Sequence, residues 1–398
     1  MSSTPNLCIR CKGSRLLCGN KTCPLLSKFY LKTQVQPKLK ENFYGPSSDI
    51  FVGHKGYPSV FIGPLGNLSS QSLSGSQLFS LPYEKIIQSQ SLVLRSKLKQ
   101  SIFSRESFIQ DNQLLAISKK PADIEMNFQR KPNFQFSFSS ITQPIGISAQ
   151  LKKLRITENV KVERKVEYII NDDLKSVDSC WKLFNNKQDV YKISNILSSG
   201  ALGLEKNKKR LVPTRWSITA IDDLIGKQLI SQIKTYPSIN EYLVFSSSSL
   251  GNHFHILLTP GSWEFENFEA WAPGSFWAQK QKNFWISEEY EPYSGRKTYA
   301  KEQVGGYYAA RLAILEYLSK IKKQARVIDF REISEEYIIP VGVWQVRENV
   351  RNAFKNPPHK FPTLKEALDH IGSNIRLPIN EYIKKSKLLQ QKRVFDFI

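Results

Sequence analysis

Four of the five cysteines crowd the amino end as Cys8, Cys11, Cys18 and Cys23, a C-x2-C-x6-C-x4-C spacing. In a reducing compartment such a cluster points to metal rather than to disulfides. Tetrahedral zinc takes four thiolates, and the first, short-spaced pair can bracket the ion from one tight turn. Gly13 and Gly19 fall just past ligands, where tight turns favour glycine. Four cysteines leave no open coordination position, so the expected Zn2+ is structural; an iron–sulfur cluster is the alternative. Arg10, Lys12, Arg15 and Lys21 would offset thiolate charge and could also touch phosphate.

Acidic and imidazole side chains suggest other chemistry. Asp222 and Asp223 follow VPTRWSITAI, which reads as a strand-like lead into a helix. Carboxylates at a helix N-terminus are favoured by the helix dipole; as a pair they could also hold Mg2+. Together with Glu264 or Glu266 they would be the acids of a two-metal nuclease, though no motif makes the four converge. His253 and His255 alternate with Phe254, so both face one side of a strand. They could share a metal, but no third ligand stands out, and solvent-facing histidines are the simpler reading. Arg347 and Arg351, one helical turn apart, are either a phosphate clamp or a solvated face paired with Glu348. The glycine-rich stretch around His54 and Lys55 either brings backbone N–H groups to a phosphate or is a plain β-hairpin.

The chain closes on QKRVFDFI. Gln391, Val394 and Phe397 stand three apart, so one 3₁₀ turn puts them on a single face with Ile398 alongside. A small apolar plug on a tether suits a pocket on another protein. It resembles the box with which replication and repair proteins bind the ring-shaped sliding clamp; the usual second aromatic is replaced here by Ile398. Lys384, Lys385, Lys387, Lys392 and Arg393 lead into it and favour an acidic surface. The alternative is a last amphipathic turn folded back on the protein itself.

The positioning elements follow from periodicity. Short strands are expected at residues 50–52 and 59–62, punctuated by Gly-Pro and Tyr-Pro pairs. Residues 86–120 read as a Lys- and Ser-rich, mostly helical or extended connector. Apolar alternation over 124–147 predicts strands, continued by 148–156. Helices are expected at 174–185 and at 189–202, the second capped by Asp189. EYLVF and HFHILLTP read as paired buried strands across a Ser-rich turn. The aromatic stretch 262–285 is expected to be mostly core or lid packing, with base stacking by one or two rings as the sharper alternative. GGYYAARLAILEYLSKIKKQA is a strong helix, followed by a strand at VIDFREI and a helix at VGVWQVRENVRNAF.

With 398 residues, 40% hydrophobic and 12% aromatic, the chain can build two real cores. The formal net charge of +22 points to a polyanionic partner, nucleic acid first; a Lys-rich proteome is the alternative source of that excess. No apolar run reaches spanning length and no signal peptide is evident, so a cytosolic protein with no membrane partner is expected.

RCKGSRLLCGNKTCP, FVGHKGYPSVFIGPL, VPTRWSITAIDD, PGSWEFENFEAW, GGYYAARLAILEYL and GVWQVRENVRNAF, in that order, resemble the archaeal Nre family of DNA repair proteins over nearly the whole chain. The resemblance implies DNA damage repair, in an archaeon, with the sliding clamp as partner and a clamp-binding box at Gln391, Val394 and Phe397. It supplies no reaction and no catalytic residues. The expected architecture is α+β: a zinc knuckle at 1–26, an N-terminal region at 27–289, a mostly helical C-terminal region at 290–385 and a flexible clamp-binding tail at 386–398. The expected function is a repair factor recruited to DNA through that tail. A metal-dependent nuclease using Mg2+, or an RNA-binding module, are the alternatives.

Overall fold

The computed structural model describes residues 33, 35–47, 49–68, 73, 75–133, 147–204, 209–275, 278, 281–337 and 340–391. The four clustered cysteines, and Val394, Phe397 and Ile398, lie outside these. The fold is mixed α+β, with two six-stranded sheets. Two compact units meet in sequence within one long helix, the first ending at Ile225 and the second beginning at Gly226.

The first unit holds strands β1 (Asn42–Ser47), β2 (Ile50–Val52), β3 (Ser59–Asn67), β4 (Val93–Ser101), β5 (Ala122–Phe128) and β6 (Ser148–Ile156). Its helices are α1 (Gly75–Phe79), α2 (Tyr83–Ser91), α3 (Ser107–Ile117), α4 (Arg164–Asn171), α5 (Ser176–Asn185) and α6 (Val190–Ser198). The sheet order is β1-β5-β6-β4-β3-β2. All neighbours are antiparallel except β4 and β6. Period-two patterning decides the two faces. In β5, Ala122, Ile124, Met126 and Phe128 point to the core, while Asp123, Glu125 and Asn127 do not. The core adds Val60, Ile62, Leu94 and Leu151, with Ile109 and Leu115 from α3. Each such side chain contributes roughly 1.5–3 kcal/mol on burial. Gly66 is demanded by packing: a Cβ there would lie 2.8 Å from both the Met126 methyl and the Phe43 ring.

The second unit begins in α7 (Thr214–Ile233). It continues through β7 (Tyr242–Ser249), β8 (Asn252–Thr259), β9 (Glu264–Trp271), β10 (Trp285–Glu291), α8 (Gly305–Ile321), β11 (Arg326–Ile333), α9 (Trp344–Ala353), β12 (His359–Phe361), α10 (Leu364–Gly372), α11 (Ile379–Ile383) and α12 (Lys387–Gln390). The sheet order is β10-β9-β11-β8-β7-β12, with β9 and β11 parallel. One face is mainly apolar: Phe268, Phe330, Leu257 and Val244 pack with Ala367, Ile371, Tyr382 and Leu388 from the C-terminal helices, around the buried Glu266 and Glu332. The opposite face carries buried charge. Arg331 meets Glu269 at 2.5 Å and donates to the Asn252 side chain at 2.7 and 3.1 Å. Arg311 and Tyr307 of α8 both donate to Glu291, at 2.5 and 2.8 Å. Helix α8 can settle this close because its first turn carries Gly306: a Cβ there would lie 2.7 Å from the Glu269 carboxylate.

Several local expectations change. Residues 86–120 are helical and extended as expected, but they are not a connector: β4 and α3 both contribute to the first core. No strand precedes α7; the helix starts at Thr214, directly after Pro213, so Asp222 and Asp223 lie in mid-helix rather than at its N-terminus. Arg347 is buried rather than solvated, and Arg351 is held by Glu316 and by Glu348, each at 2.7 Å.

Candidate nucleic-acid interface

The face of the first sheet turned away from its core is open and basic. In β4, VLRSKLKQS, Leu94 and Ser96 are buried, while Arg95, Lys97 and Lys99 alternate onto the other side. Register then sets their neighbours. Phe61 on β3 stands across from Lys99, and Gln150 on β6 across from Lys97. Further along, Lys153 stands across from Asn127 and Arg155 across from Glu125. A register shift between Asn127 and Phe128 adds the exposed Lys152 to the same edge. Phe61 is 40% exposed and Tyr44 of β1 67% exposed, so aromatic surface is interleaved with the cations.

The electrostatics favour an anion over this face. The Arg95 guanidinium lies 3.9 Å from the centre of the Phe51 ring, a cation–π contact. Burial lowers the pKa of Arg95. Burial, and then the charge of Arg95, lower that of Lys97. Lys97 donates to the Ser148 hydroxyl at 2.9 Å, which does not neutralise it. Lys97, whose charged form is disfavoured beside Arg95, is a place where a bound phosphate oxygen relieves the local field. Arg155 is partly offset by Glu125 opposite it, so Arg95, Lys97, Lys99, Lys152 and Lys153 carry the positive field. Two shallow, open depressions lie on this unit. One, of about 470 Å3, is lined by Asn42, Asn127, Lys152 and Lys153. The other, of about 680 Å3, is lined by Ser59, Lys99, Ser101 and Phe103. Neither is an enclosed substrate cavity.

The other candidate residues are placed differently. Asp222 is fully buried in α7. Glu264 pairs with Arg326 at 2.8 Å and accepts from the Tyr290 hydroxyl at 2.5 Å. Glu266 accepts from the Ser386 hydroxyl and from the Lys387 N–H, the latter at 2.6 Å. Both glutamates thus hold structure together. Among the described residues no group of three or more His, Cys, Asp or Glu is placed to hold a metal. His253 and His255 each bond to a serine of β7, Ser248 at 3.0 Å and Ser246 at 2.9 Å. Burial, followed by the charges of His253 and His370, pushes His255 down to about 4, so it is neutral at physiological pH. Trp263, Phe265, Phe268 and Trp271 are buried, so four of the six described rings of the aromatic stretch are core packing, while Trp285 is exposed. Gln391 follows α12 and is exposed. The β4 cations were missed in the sequence because a strand whose outer face is all Lys and Arg looks like a charged connector. The period-two alternation of Leu94 and Leu98 against Arg95, Lys97 and Lys99 was the available signal.

A family model described as archaeal Nre, N-terminal, matches residues 17–278, and one described as archaeal Nre, C-terminal, matches residues 291–397. The chain is 35% identical over 366 residues to DNA repair protein NreA of Archaeoglobus fulgidus, spanning 91% of this chain and 92% of that protein. It is 34% identical over 394 residues to DNA repair protein NreB of the same organism, 97% of each chain. It is 32% identical over 370 residues to DNA repair protein NreA of Haloferax volcanii, covering 89% and 88%. No solved structure matches it.

Proposed function

This chain belongs to the archaeal Nre family, and from that membership we propose that it is a DNA repair factor that holds DNA on the basic face of its first sheet. The observation that carries this reading is the row of Arg95, Lys97 and Lys99 on β4, continued by Lys152 and Lys153 on β6, on a face with exposed rings. An open, flat, cationic surface suits phosphate contacts that are independent of sequence. The two depressions on this unit are open, and among the described residues no group of three or more His, Cys, Asp or Glu is placed to hold a metal. Binding and recruitment therefore describe the protein better than nuclease chemistry does. Reversing the exposed charges (Lys99→Glu, Lys152→Glu and Lys153→Glu together) should weaken duplex binding by well over tenfold; an unchanged affinity rejects this face.

Two further parts complete the proposal. The C-terminal peptide with Gln391, Val394, Phe397 and Ile398 recruits the protein to the sliding clamp, so that tethering supplies the local concentration which a nonspecific surface lacks. Cys8, Cys11, Cys18 and Cys23 hold one structural zinc ion, supported by their number and spacing. Elemental analysis of purified protein should find one zinc per chain and a clear loss in Cys18→Ser; iron with sulfide, or equal metal in both proteins, contradicts it. No helix among the described residues is long and apolar enough to cross a membrane.

A further inference from the structure

Two of the motif stretches, FVGHKGYPSVF and VPTRW, are far apart in sequence but meet at one end of the first sheet. Ile102 joins them. Its N–H donates to the Pro58 carbonyl and its own carbonyl accepts from the Leu211 N–H, both at 2.9 Å. The Thr214 hydroxyl adds a second tie, accepting from the Val52 N–H at 2.9 Å and lying 3.1 Å from the Ser198 hydroxyl. Ile102 itself is 1% exposed, so the seam is anchored in the core.

This scaffold presents aromatic rings to solvent. Tyr57 and Trp216 stand with ring centres 5.2 Å apart, tilted by 52°. They stay 45% and 46% exposed, so the contact between them leaves much of each ring uncovered. Phe103, 55% exposed, lies just past Ile102 on the same seam. Burying rings of this size would be worth several kcal/mol in total, yet the fold leaves them outside. The surrounding cations decide the occupant. Lys55, Lys99, Arg210 and Arg215 are exposed on these same segments. An apolar protein partner would have to bury those charges, whereas a nucleic-acid strand offers base faces to the rings and phosphates to the cations.

We infer that Tyr57 and Trp216 form a stacking site for unpaired bases, so that single-stranded DNA or a locally opened strand is held more tightly than the intact duplex that the basic face alone can bind. This rests on the reading of the first unit as a DNA-binding surface and adds the substrate class. In a duplex, base faces are already stacked on one another and cannot reach the rings. Base–aromatic stacking depends little on sequence, because every base has a π-face. The tied backbone fixes both rings before the strand arrives, which lowers the ordering cost of binding.

The test is fluorescence anisotropy with the full chain, using labelled oligo-dT of about 15 nucleotides and a duplex of matched length. The wild type should bind the single strand more tightly. Trp216→Ala should weaken single-strand binding about tenfold while changing duplex binding less than about twofold, in line with stacking energies. Trp216→Phe should recover most of the loss, and Tyr57→Ala should reproduce part of it. Equal losses on both substrates, or no loss on oligo-dT, overturn the stacking site, whereas the basic-face reading is tested separately by its own charge-reversal variant. A wild type that binds neither substrate overturns the DNA reading itself, and tighter binding of the matching RNA strand overturns DNA as the ligand.

Discussion

Glu266 shows how much one buried carboxyl can couple. It lies on β9 and holds the start of α12 through the Ser386 hydroxyl and the Lys387 N–H. Burial pushes its pKa from 4.5 up to about 7, opposed by those two hydrogen bonds and assisted by the nearby Glu288. A carboxyl whose folded pKa exceeds its unfolded value binds extra protons on folding, so its contribution to stability falls as pH rises from about 4.5 to about 7. The loss is of the order of 3 kcal/mol across that window. His255 acts with the opposite sign: its folded pKa is depressed to about 4, so its contribution is lost as pH falls below its ordinary 6.5. Comparing wild type with Glu266→Gln separates the two, because only Glu266 differs between them. The melting temperature of the variant, relative to wild type, should rise as pH goes from about 5 to about 8. Parallel curves would show that Glu266 does not titrate in this range.

At the scale of elements, the C-terminal helices act as a base for the final peptide. Tyr382 donates to Glu332 at 3.0 Å, and the Arg376 and Leu377 N–H groups donate to the same carboxylate, each at 2.8 Å. Ser386 then caps α12, accepting from the Leu389 N–H at 2.9 Å. The polypeptide is thus fixed to its own sheet as far as Gln390, and Gln391 begins the peptide proposed to bind the clamp. Phe397→Ala should lose more than about tenfold in affinity for the purified sliding clamp, as expected for a central anchor ring, with an unchanged melting temperature. Retained clamp binding would remove recruitment from the account. Elements of this kind were legible in the sequence where one period dominates. The helix at 305–321, the strand at 326–333 and the Asp189 cap of α6 follow directly from pattern and cap chemistry. Legibility failed where side-chain chemistry concealed the period. β4 alternates Leu94 and Leu98 with cations and reads as a charged linker, and the Pro213–Thr214 helix start reads as extended because Thr and Trp favour strands. The meeting of Tyr57 with Trp216 was beyond reach in one sequence: each ring is unremarked alone, and only the ties at Ile102 and Thr214 bring them together.

At the scale of the whole molecule, charge sets the behaviour. A net +22 is spread over a chain whose second unit buries many of its carboxylates against arginines. Those buried pairs hold the fold and offer no free field. The first unit instead keeps its lysines on an open sheet face, which makes that face the natural site for a polyanion. On the proposed reading, affinity there comes from phosphate neutralisation and the release of counterions, and the proposed clamp tether raises the local concentration.

The most direct measurement of the central claim is the affinity of the full chain for a labelled DNA duplex over a series of salt concentrations. A logarithmic plot should be linear and steep, its slope growing by about −0.9 for each phosphate neutralised. Replacing Lys99, Lys152 and Lys153 with alanine should flatten that slope by about three units. A shallow slope in the wild type, or one that the three substitutions leave unchanged, would contradict DNA binding by this sheet.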